Sequence, residues 1–130
     1  MNKTVTALLI LLVSGFSVQG QALDSINQAK FDELVTSAVK FQDDFNKAIA
    51  LIDSAIALDS NCDHAFVIKS EFLWTQKRYG EAAENYKRAL WLNRDTSFFF
   101  GAYLVFGVLL EKSYQLQEAK VNYLKAIKLF

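Results

Sequence analysis

Cys62 and His64 stand two residues apart, and they are the chain's one cysteine and one histidine. A thiolate beside an imidazole is a nucleophile, so the pair invites a catalytic reading. Such a pair also needs a third orienting group and an oxyanion site, and the sequence supplies neither. The spacing therefore reads as a loop cysteine and a histidine at a helix start. As metal ligands, two residues fall short of the three or four protein ligands that zinc takes. Asp43/Asp44 and Glu81/Glu84 are the remaining pairs with acid–base potential. The first pair falls in an expected turn and the second on a solvated helix face, so neither is enclosed. Glu81 also sits in a first helical turn, where free N–H groups favour a negative charge. With no glycine-rich phosphate loop either, the expectation is a chain without enzymatic activity, cofactor or metal.

The informative residues are then the ones that pack. Ala48/Ile52/Ala55, Ala82/Tyr86/Ala89 and Ala119/Tyr123/Ala126 share one arrangement, small, large, small, at spacings of four and three. That spacing puts each set on one face of a helix, where the alanines let a neighbouring backbone come close. The sets recur at offsets of 34 and 37 residues, with the extra residues expected in the loop around Asp95 to Ser97. Each is preceded three positions earlier by Phe45, Tyr79 or Leu116. Upstream lies a second helical pattern: Val35/Thr36/Val39, Phe66/Ser70/Leu73 and Tyr103/Phe106/Gly107/Leu110. The small Thr36, Ser70 and Gly107 hold equivalent places, where a bulky side chain would keep the paired helix away.

Each unit is therefore two helices that cannot cover their apolar stripes alone, and stacking the units buries what single ones expose. The pattern predicts helices at 26–41, 46–58, 63–76, 81–92, 97–112 and 117–129. Ser25 with Gln28, and Ser60 with Asp63, have capping-box spacing. Glu84 and Arg88, four apart, predict an exposed ion pair.

A chain of 130 residues with 52% hydrophobic and 22% charged residues fits one globular domain. Its zero net charge argues against nucleic acid as a partner. The opening "MNKTVTALLILLVSGFSVQGQALDS" has Lys3, an apolar run from Val5 to Phe16 and small residues at Gly20 and Ala22. It reads as a signal peptide over residues 1–20, cut after Gly20 or Ala22, giving an exported, periplasmic or secreted protein. A membrane role is expected only if this segment stays uncleaved. The lone Cys62 excludes an internal disulfide.

Residues 26–130 resemble the tetratricopeptide repeat (TPR) family, with units at about 29–62, 63–96 and 100–130 and the middle unit closest. Departures are visible: Lys69 stands where the family prefers leucine, Asp32 where it prefers tryptophan, and Ser60 and Arg94 where it often has proline. The resemblance implies an all-α, right-handed α-solenoid of about three helix-turn-helix repeats, whose inner face binds a peptide or partner protein. It would place in that groove Lys30, Glu33, Ser37 and Lys40, then His64, Val67, Glu71 and Trp74, then Leu104, Val108, Glu111 and Lys112. Trp74 is the expected anchor, with packing against the neighbouring unit as the alternative. Some members clamp a C-terminal carboxylate, but those places here hold Glu33, Ser37, Glu71 and Val105, and two carboxylates would repel it. The segment "FFFGAYLVFGVLL", 98–110, carries no charge and is too short to cross a bilayer, so burial on both faces is expected. The apolar C-terminal end suggests a second reading, a self-associating scaffold or homo-oligomer, or the N-terminal piece of a longer repeat protein.

Overall fold

The structure, a computed structural model, describes residues 25–93 and 99–129. The expected signal peptide and the loop around Asp95 to Ser97 lie outside the described residues. Among those described there are helices and no strands: α1 (Ser25–Lys40), α2 (Phe45–Leu58), α3 (Asp63–Thr75), α4 (Tyr79–Leu92), α5 (Phe99–Lys112) and α6 (Leu116–Leu129). Each helix packs on the next in the chain, most extensively within the pairs α1/α2, α3/α4 and α5/α6.

The repeated small residues do what their spacing requires. Ala48, Ala55, Ala82, Ala89, Ala119 and Ala126 are all buried, so the second helix of each pair lies close against its neighbours. Between the alanines of α4, Tyr86 stacks on Phe106 of α5 with ring centroids 6.4 Å apart and planes 17° from parallel. Such an aromatic pair contributes about 0.5–1.5 kcal/mol beyond area burial. Ser70 donates a buried 2.8 Å hydrogen bond from Oγ to the carbonyl of Ala82, joining α3 to α4. A Cβ at Gly107 would come within 2.6 Å of the Tyr123 ring, so the absence of a side chain is what admits that ring. Thr36 is different. It is exposed with Glu33 and Lys40 on its face of α1, so the close approach inferred for that position is not made in the first pair.

Helix ends also depart from expectation. The Ser60–Asp63 capping box does not form: α3 starts at Asp63 after an N-cap Cys62 that makes no side-chain cap bond. Gln28 donates to Asp32 at 3.0 Å. Asp44 is the working N-cap of α2, accepting the N–H of Lys47 at 3.2 Å. In the α2–α3 loop Asp59 accepts the N–H of Asn61 at 2.9 Å, closing a turn where the resembling family often has proline.

Helices α3 and α5 share one termination. The N–H of Arg78 reaches the carbonyl of Leu73 and that of Lys77 reaches Trp74; Gln115 to Leu110 and Tyr114 to Glu111 repeat the scheme. These are Schellman ends, which need a left-handed residue. Lys77 (φ 58°) and Tyr114 (φ 63°) take that conformation although neither is glycine.

Candidate functional site

The candidate groove residues lie on the first helix of each pair, one face apiece of α1, α3 and α5. On α1, Lys30, Glu33 and Lys40 are exposed and Ser37 is half-buried. On α5, Glu111 and Lys112 are exposed, Leu104 is 37% exposed and Val108 is half-buried. On α3, His64, Glu71 and Trp74 are half-buried, whereas Val67 is only 1% exposed and belongs to the core. Val67 therefore offers a ligand no surface. The family resemblance placed it on the groove face, but the depth to which neighbouring helices sink over a face is not contained in a resemblance.

Trp74 lies edge-to-face with Tyr79 of α4, centroids 6.5 Å apart, and the ammonium of Lys112 stands 5.9 Å from the centre of that same tyrosine ring. Residues of three helices thus meet at one end of the groove. Trp74 packs against the core and keeps part of its surface open. On α5, Glu111 accepts a 2.6 Å hydrogen bond from the hydroxyl of Tyr123.

The Glu71 side chain, one turn before Trp74, has no hydrogen bond or ion pair to any described residue. Burial alone pushes its carboxyl up to about 8. Its charge in turn helps hold the Tyr86 phenol far above its usual range, after burial as the larger cause.

The Cys62–His64 pair takes no catalytic form. Cys62 is fully buried, and desolvation pushes its thiol up to about 11, against smaller lowering by backbone N–H groups. A protonated, enclosed thiol is a poor nucleophile. Among the described residues no three His, Cys, Asp or Glu side chains gather where a metal would sit, and no helix is long and apolar enough to cross a membrane.

Several polar contacts were beyond sequence reasoning. Asp63 is 2% exposed and accepts a 2.6 Å bond from the Asn93 amide, tying the start of α3 to the residue after α4. Burial raises the Asp63 carboxyl while that bond and the His64 N–H act in the opposite direction. Lys69, unexpected at a leucine position, bridges to Asp53 of α2 at 2.7 Å. Arg88 does not pair with Glu84; its guanidinium lies 4.6 Å from the centre of the Trp91 ring and 6.0 Å from that of Phe66. Glu81 instead takes two hydrogen bonds from Arg78, at 2.7 and 2.6 Å. Only the aromatic neighbours of Arg88, at i−22 and i+3, could have hinted at a competitor for its charge.

No protein-family model matches the chain, and no curated protein matches it by sequence. Solved structures do. The N-terminal domain of stress-induced protein-1 (STI-1) from C. elegans is 22% identical, with TM-score 0.70 over 83% of this chain and 89% of that one. The second TPR of Spaghetti (RPAP3), bound to the HSP90 peptide SRMEEVD, is 18% identical, with TM-score 0.66 over 81% of this chain and 98% of that one. MamA is 17% identical, with TM-score 0.65 over 98% of this chain and 71% of that one. Helix order, sequential pairing and these likenesses together give the chain the fold of a TPR α-solenoid, all-α and right-handed, about three helix pairs long.

Proposed function

We propose that this chain is a protein-interaction module that takes a peptide or partner segment along the exposed faces of α1, α3 and α5 and performs no reaction of its own. The observation that carries this is the surface left open on those helices: Leu104 exposed, with Trp74, Val108 and Glu71 half-buried, none of it sealed by another described element. A fold shared with two Spaghetti domains bound to an HSP90 peptide supports the same reading. That peptide, SRMEEVD, is rich in acids, whereas the faces here present Glu33, Glu71 and Glu111, so a different ligand is indicated. The test is capture from an envelope fraction with wild type and Trp74→Ala side by side. Loss of a specific partner in a variant that is still folded is the expected result; capture indifferent to Trp74 contradicts it.

Export is part of this proposal, supported by the lysine, apolar run and small residues of the opening segment. Mass spectrometry of the mature protein should find Gln21 or Leu23 at the N-terminus, and an intact Met1 would overturn it. A second reading, self-association, is favoured by α6, where Leu116, Val121, Leu124, Ile127 and Leu129 are all exposed. Light scattering separates the two: an oligomer dispersed by Leu124→Glu supports self-association, and a monomer at every concentration sinks it.

A further inference from the structure

We propose that Glu71 is the receptor for a cationic side chain, a lysine or arginine with aliphatic residues beside it, in the segment that the groove of α1, α3 and α5 accepts. The inference rests on the groove reading and adds to it the chemistry of the ligand.

Three observations converge on it. First, Glu71 is half-buried on the candidate face of α3, and its side chain has no hydrogen bond or ion pair with any described residue. The other acids near the groove differ: Glu111 is already engaged by the Tyr123 hydroxyl, and Glu33 is exposed. A desolvated carboxylate without a partner is unfavourable, and a cation brought by a ligand supplies the missing half of a charge-assisted pair. Second, no described residue supplies that cation. Burial raises the Glu71 carboxyl, with no offset from any described lysine, arginine or histidine. Lysine residues close by are otherwise placed, Lys69 on Asp53 and Lys112 over the Tyr79 ring. Third, the candidate faces hold apolar surface for the stem of a basic side chain. Trp74, one turn on along α3, is half-buried, and the candidate face of α5 has exposed Leu104 and half-buried Val108. Lysine and arginine lay their methylene stems along such surfaces while the head reaches a charge.

The test is a positional-scanning library of acetylated, amidated heptapeptides with leucines flanking one fixed position, presented to the mature protein. Lysine and arginine at the fixed position should be retained about tenfold over norleucine and glutamate. In Glu71→Gln, which keeps the side chain's shape, that preference should fall to about twofold or less while leucine-bearing peptides are still retained. Glu84→Gln, exposed on α4 away from the groove, should leave the preference intact. A preference that persists in Glu71→Gln, or selection of acidic residues, overturns the assignment of Glu71 alone. Failure of the wild-type protein to retain any peptide overturns the groove reading beneath it.

Discussion

Tyr86 and Tyr123 occupy the same place in successive helix pairs, yet Tyr86 is 5% exposed and Tyr123 is only half-buried. The difference comes from what lies beyond. Helix α5 packs over α4 and brings Phe106 onto Tyr86, whereas no described helix lies over α6. Tyr123 turns its hydroxyl to Glu111 instead. The outer faces diverge as well: Glu84 and Lys87 of α4 are replaced, 37 residues on, by the exposed Val121 and Leu124 of α6. One local pattern thus yields a core residue in the middle pair and a partly open one in the last. Burial in a stack belongs to the neighbour as much as to the residue.

The sharpest way to break this comparison is to truncate both rings. Tyr86→Ala should cost about 3–5 kcal/mol in urea unfolding, as for other buried aromatics, and Tyr123→Ala about 1 kcal/mol. Equal losses would mean that α6 is covered in solution. Next in size is Asn93→Ala. It removes a donor from the buried Asp63 carboxyl and should cost about 2 kcal/mol.

A smaller effect is expected from pH. The folded carboxyl of Glu71 titrates at about 8 against an ordinary 4.5, so between those values the native state holds more protons than the unfolded one. Stability should be full below about 4.5 and fall as pH rises through about 8, by about 1–2 kcal/mol once partial exposure is allowed for. Glu71→Gln should flatten the slope of melting temperature across that window, and an unchanged slope would assign the titration elsewhere. The smallest effect belongs to the helix ends. Tyr114→Gly should relieve the left-handed backbone and gain about 0.5 kcal/mol, and Lys77→Gly should do the same in the middle pair. A loss at either position would show that its side chain is needed there.

Much of the fold was legible because packing depends on period. The alanine–large–alanine sets placed α2, α4 and α6 within a few residues, and the small Ser70 and Gly107 marked two of the close approaches. What could not be read was long in range or decided by competition. Asp63 and Asn93 are 30 residues apart, so no local window links them, and Asp63 looked like part of a capping box. Arg88 had an acid four residues earlier, yet two aromatic rings from different helices hold it. In the groove, the family resemblance named a face but not its depth, so Val67 lies in the core while Leu104 stays open. Thr36 failed as a marker because α1 packs chiefly on α2 and leaves its other face in water.

The bond between Asp63 and Asn93 has a kinetic corollary. It laces the entrance of α3 to the exit of α4, so neither helix can peel away without first parting that couple. Amide deuteration should accordingly advance through 63–93 as one all-or-none block, while the peptide groups of α6 exchange piecemeal.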